Sequence, residues 1–121
     1  MDFDVSVREK IAGAASSAKD KFGDVDILIN NAGIVQGKKI TESNEDLIRK
    51  VLVVNCECHF WLIKEFIPGM IKKNRGQIVS IASIAGITGS PEMTDYSASK
   101  FAAVGMMESL RAELKRDKKN I

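Results

Sequence analysis

Between Ser6 and Gly23 the apolar positions recur at helical spacing: Ile11, Ala15, Ala18 and Phe22 share one side, Ser6 and Glu9 have the separation of a capping box, and Gly23 is a natural stop. The spacing predicts a helix over residues 7–22. The period then changes. Val25 to Asn30 is a short run whose Ile27-Leu28-Ile29 centre is bounded by Asp and Gly, which predicts a strand buried on both faces, as in a parallel sheet. Residues 31–43 lack periodicity and predict a loop. From Asn44 to about Lys73 helical spacing returns, with Leu47, Val51, Val54, Cys58, Trp61 and Leu62 on one side; Pro68 can bend its last turns and Gly76 is expected to close it. Gln77 to Ile81 predicts a second strand and residues 84–95 a Gly-, Ser- and Thr-rich loop. A last helix is expected over residues 96–115, where Phe101, Val104, Leu110 and Leu114 stand beside the small Ala102, Ala103, Gly105 and Ser109.

The order helix, strand, helix, strand, helix calls for crossover connections and a parallel sheet covered on both faces, an α/β fold. At 121 residues the chain has the length of one domain but fewer strands than a complete doubly wound nucleotide-binding domain uses, so the expectation is the central part of such a sheet. With 45% apolar and 28% charged residues it reads as soluble and globular, and no window approaches the roughly 18 uninterrupted apolar residues of a membrane helix. A net charge of +2, evenly mixed, argues against nucleic acid as a partner. Cys56 and Cys58, one residue apart on a helix, diverge and indicate no disulfide, which fits a reducing compartment. Met1-Asp2-Phe3-Asp4 has none of the features of a secretory signal.

Tyr96 and Lys100 are four residues apart on a helix and so share a face. An ammonium beside a phenol favours the phenolate, which is what a general acid/base needs, although such a pair by itself is more often a solvated one. Ser83 and Asn30-Asn31-Ala32-Gly33 follow the two strands at their carboxyl ends, where open parallel sheets place ligands; taken singly each is an ordinary turn. Asn55, polar among Val53, Val54, Cys56 and Phe60, is either a core amide with its hydrogen bonds satisfied or the site of a helix kink. His59 has no second imidazole or suitably spaced carboxylate, so it is read as a packing or surface residue and no metal is expected.

Together these segments resemble a known family. Asn-Asn-Ala-Gly at 30–33, Val-Asn at 54–55, Ile-Ala-Ser-Ile-Ala-Gly at 81–86 and Tyr-Ser-Ala-Ser-Lys at 96–100 are similar, in order and spacing, to the motifs of the short-chain dehydrogenases/reductases. The resemblance covers essentially all of residues 1–121, and Gly37-Lys38-Lys39, His59-Phe60-Trp61 and the run from Ser99 to Gly105 look like the epidermal-type retinol dehydrogenases and lipid-droplet 17-beta-hydroxysteroid dehydrogenases. It implies a Rossmann-like fold and an NAD- or NADP-dependent oxidoreductase of a hydrophobic alcohol or ketone, retinoid or steroid in type, with NAD favoured by the subfamily. By the same likeness Tyr96 would exchange a proton with the substrate oxygen. Lys100 would assist Tyr96 and hold the nicotinamide ribose, Ser83 would hydrogen-bond the same oxygen, and Asn55 would hold a water in a proton relay. Asn31, Ala32 and Gly33 would line the adenine-ribose side of the cofactor, and Asp4 would reach the adenine amine. A homodimer through helices 44–73 and 96–115 is also implied, as is a cytoplasmic-facing protein at the endoplasmic reticulum membrane or a lipid droplet, held there only by a segment not present here.

Residues 1–121 contain no Thr-Gly-x-x-x-Gly-x-Gly turn of the kind that receives a dinucleotide pyrophosphate, and the strand and Pro-Gly turn expected downstream are also absent. The segment is therefore expected to be a partial cofactor-binding domain, inactive in isolation and weak or silent toward the dinucleotide. The competing reading is a non-catalytic role, as a truncated product or a lipid-droplet scaffold. The basic tail, Lys115-Arg116-Asp117-Lys118-Lys119, most simply complements the negative end of the last helix.

Overall fold

The computed structural model of the chain describes residues 3–121; Met1 and Asp2 of the amino-terminal segment lie outside them. The first helix, α1 (Arg8–Phe22), ends as its pattern requires. Gly23 adopts φ 77° and its N–H donates to Lys19 O at 2.8 Å. Its start departs from the capping box. Ser6 gives both its N–H, at 2.9 Å, and its hydroxyl, at 2.7 Å, to Asp4 Oδ1, and Val7 holds the cap position without a side-chain bond. A carboxylate two residues upstream is a charge-assisted acceptor and draws the hydroxyl away from the helix end.

Two strands, β1 (Ile27–Asn30) and β2 (Gln77–Ser80), pair in parallel with Ile27 opposite Gln77 and Asn30 opposite Ser80. Their carboxyl ends therefore finish level at one edge of the sheet. Leu28 and Asn30 are buried, whereas Ile27 and Ile29 are 55% and 59% exposed. Within these residues β1 is thus buried on one face, and its other face is open. Leu28, Ile63 and Met70 form the core together with Met106, Met107 and Leu110, so both long helices lie on one side of the strands, and among the described residues nothing covers Ile27 and Ile29. The β1–β2 crossover sets the face on which α3 lies, and α4, which follows β2, packs beside it through Met106, Met107 and Leu110.

The long middle helix has three parts. Asn44 caps α2 (Glu45–Leu52) by accepting the Leu47 N–H at 3.0 Å. Residues Val53–Glu57 then widen into a π turn, and α3 (Cys58–Lys73) continues the same rod. Pro68 lies inside α3 without ending it: Ile67 packs on the core and Met70 is fully buried, and that packing outweighs the missing hydrogen bond. The helix closes at Asn74 (φ 50°) rather than at Gly76. Gly76 serves a different end, because a Cβ there would stand 2.6 Å from Met70 Cγ. Short 3-10 turns at Ile40–Glu42 and Ile84–Gly86 interrupt the two predicted loops, and α4 (Thr94–Arg116) begins two residues earlier than its pattern indicates. No helix of the described residues is long and apolar enough to cross a membrane. Cys56 and Cys58 are buried free thiols; loss of solvent pushes both upward, Cys58 to about 11, so neither is a thiolate at neutral pH.

Candidate active site

The site lies at the edge where β1 and β2 end. Past β1 the exposed strip Asn31-Ala32-Gly33 leaves the sheet, and a Cβ placed on Gly33 would lie 3.6 Å from Asn55 Oδ1 and 3.8 Å from Lys100 Nζ. Gly33, at the end of the strip, therefore lies against both side chains. Past β2, Lys100 Nζ donates to Ile81 O at 2.7 Å, and the same ammonium stands 5.6 Å from the centroid of the Tyr96 ring. Tyr96 and Lys100 thus share one face of α4, as their spacing predicts. Lys100 is only 4% exposed, and its ammonium is committed to a single main-chain oxygen of the described residues. A buried cation with hydrogen-bonding capacity left over, bordered by the exposed Gly33 backbone, has donors to give to a polar or anionic partner.

Asn55, inside the π turn, is fully buried and hydrogen-bonded on both sides of its amide. Oδ1 accepts the Ile34 N–H at 2.8 Å, while Nδ2 donates to Ile34 O at 2.9 Å and to Ser99 Oγ at 3.0 Å. Both readings left open by the sequence hold at once: the amide is satisfied and the helix is distorted there. π turns of this kind often mark functional sites. Ser99 Oγ in turn donates to Tyr96 O at 2.6 Å.

Ser83 heads the Ile84–Gly86 turn, where its hydroxyl oxygen accepts the Ala85 N–H at 3.2 Å and keeps its own proton to give. That turn is pressed onto α4, since a Cβ on Gly86 would stand 2.8 Å from Lys100 O. Asp4 makes its hydrogen bonds to Ser6, and these hold its carboxyl below the ordinary range. The structure therefore brings Gly33, Asn55, Tyr96 and Lys100 together, seats Ser83 on a turn against the same helix, and leaves Asp4 exposed and paired locally.

Three polar residues of the neighbourhood had no role in the sequence reading. Ser99 was legible in principle, one helical turn after Tyr96. Asp95 and Gln36 carried no signal, because the partner of each lies 59 residues away. His59 proves to be a buried packing residue, 1% exposed, with Nδ1 3.4 Å from Ser80 Oγ.

Burial, reinforced by the charge of Lys100, brings the His59 imidazole down to about 4 from an ordinary 6.5. The unfolded chain takes up this proton below 6.5 and the folded one only near 4. Stability is therefore intact above pH 6.5 and falls as the pH drops through that window, by on the order of 3 kcal/mol. Denaturant melts at pH 7 and pH 4.5 are expected to show a loss of stability in the wild type that His59→Leu largely lacks; an equal loss in both proteins would place His59 in water.

The sequence pattern of the family described as short chain dehydrogenase matches residues 1–121. The chain belongs to that family. Among relatives of this short-chain dehydrogenase segment, retinol dehydrogenase 10-B of Danio rerio is 45% identical over 112 residues, covering 93% of the chain and 33% of the relative. Short-chain dehydrogenase/reductase family 16C member 6 of Bos taurus is likewise 45% identical, with 93% and 35% covered. The chain spans about a third of the length of these curated relatives. A short-chain dehydrogenase from Streptomyces avermitilis superposes with a TM-score of 0.92 at 28% identity, over 96% of this chain and 43% of that one. A metagenomic short-chain oxidoreductase in complex with NADP gives 0.90 at 31% identity, over 96% and 52%. The Rossmann-like fold and the likeness to retinol dehydrogenases expected from the motifs agree with these findings.

Proposed function

We propose that this chain supplies the acid/base half of a nicotinamide-dependent oxidoreductase acting on the CH–OH or C=O group of a hydrophobic alcohol or ketone. The observation that carries the reading is the buried Lys100 ammonium, lying over the Tyr96 ring and against Gly33 of the exposed Asn31-Ala32-Gly33 strip. The relatives named as retinol dehydrogenases support a retinoid-like substrate, with a steroid as the second candidate, and the neighbour solved with NADP supports a nicotinamide cofactor. When bound, that cofactor supplies or accepts the hydride.

The residues present would do the rest. Tyr96 gives its proton to the carbonyl oxygen in reduction, or removes it from the alcohol in oxidation. Ser83, whose oxygen already accepts from Ala85, has its hydroxyl proton for the same substrate oxygen and steadies the charge that develops there. Lys100 keeps donors for the nicotinamide ribose and the Tyr96 oxygen. Asn55 retains the second lone pair of Oδ1 for a water on the path from Lys100 to solvent. Asn31, Ala32, Gly33 and Asp4 would face the adenosine end. Two copies would pair through the groove between α3 and α4, an opening of about 680 Å³ lined by Phe60, Ile63, Ala102, Gly105 and Met106. The expected location is cytoplasmic-facing at a membrane or lipid droplet.

The test is turnover by the whole protein of retinol and of a steroid alcohol with NAD or NADP, followed through the absorbance of the reduced nicotinamide. Oxidation with one of the two cofactors is expected. Failure with both cofactors and both alcohols, and with the corresponding carbonyl compounds in reverse, would sink the reading.

A further inference from the structure

Just ahead of Tyr96, Asp95 is 7% exposed and engaged by no lysine or arginine among the described residues, an unusual state for a carboxylate. It is stabilised in other ways. Oδ1 accepts the Tyr96 N–H at 2.8 Å, Oδ2 accepts the Gln36 Nε2 proton at 2.8 Å, and the first turn of α4 favours negative charge. Gln36 spends its other end on α2, where Oε1 accepts the Asn44 N–H at 3.1 Å next to the residue that caps that helix. One amide in the loop after the Asn31-Ala32-Gly33 strip thus ties the starts of two helices together.

The tie closes a ring. From Asp95 the bonds run through Tyr96 and Ser99 to Asn55, from Asn55 to Ile34, and two residues along the chain back to Gln36. The main chain of Tyr96 is gripped at its N–H by Asp95 and at its C=O by Ser99. We infer that Gln36 and Asp95 are positioning residues, a hydrogen-bonded latch that sets the start of α4, and with it the Tyr96 hydroxyl, against the loop that borders the cofactor strip. This rests on the proposed role of Tyr96 for its catalytic consequence but not for its structural one.

The donor pattern supplies the test. In Asp95→Asn an amide would meet the Gln36 amide: as it stands donor faces donor, and turned over the Gln36 amide would present its own donor to the Asn44 N–H instead; in Gln36→Glu a carboxylate would meet the Asp95 carboxylate. Each single variant breaks the latch. The double variant Gln36→Glu with Asp95→Asn restores it with the roles exchanged: the new carboxylate accepts from both the Asn44 N–H and the new amide, whose oxygen still accepts the Tyr96 N–H. Two readouts on the whole protein are expected to move together. Amide hydrogen exchange over residues 94–100 should speed up by roughly tenfold or more in each single variant and return toward wild type in the double. In the same series kcat should fall by roughly 10–100-fold with the cofactor KM little changed, and recover in the double. Exchange that is unaltered in the single variants, or a double variant no better than either single, would overturn the latch. An inactive wild type with the exchange pattern intact would instead overturn the oxidoreductase reading and leave the latch supported.

Discussion

Tyr96→Phe is expected to cut kcat by roughly 10²–10⁴-fold while leaving cofactor affinity and thermal stability near those of the wild type. The separation of effects follows from the geometry. Phenylalanine keeps the ring that lies under the Lys100 ammonium at 5.6 Å, and the main-chain bonds to Asp95 and Ser99 do not involve the side chain. Only the phenol oxygen, to which the proposed function gives the proton transfer, is lost. Steady-state kinetics paired with a cofactor titration check it, and a variant that turns over like the wild type would remove Tyr96 from its assigned place.

Asn55→Ala carries the largest expected cost in stability. It deletes three hydrogen bonds at a fully buried position and leaves the Ile34 N–H and C=O to find partners elsewhere. Buried groups stripped of partners cost roughly 1–3 kcal/mol each, so a loss of about 3 kcal/mol or more is expected in denaturant unfolding. A loss below about 1 kcal/mol would mean that the Ile34 loop does not depend on this amide. Activity should fall as well, since the same amide reaches Ser99 and through it the main chain of Tyr96.

Much of this was legible in the sequence, for reasons specific to each element. The hydrophobic period found all three helices and both strands because each buries one face, and the four-residue spacing of Tyr96 and Lys100 put them on one side of α4. The period could not show which side of β1 these residues themselves cover, Leu28 and Asn30 rather than Ile27 and Ile29, because a continuous apolar run reads the same either way. The capping box at Ser6 and Glu9 misled because Asp4 upstream is the better partner for the Ser6 hydroxyl. Within the site, the motif residues could be read locally, whereas Gln36 and Asp95 meet only after the chain has folded back across 59 residues. No local rule reports such a meeting. Asn55 was singled out as an oddity among apolar neighbours, but its two bonds to Ile34 required the loop to be seen in place.

The π turn at Val53–Glu57 bears on how this chain can tolerate change. An α-helix advances about 100° per residue, so removing one residue there would relax the turn into regular helix and, taken alone, improve the rod. The gain would be self-defeating. The wide turn holds one residue more than an α-helix needs for nearly the same rotation, so Cys58, Ile63 and Met70 would keep their places while the Asn55 amide lost its position against Ile34. At this point of the chain the extra residue and the amide it carries work only as a pair.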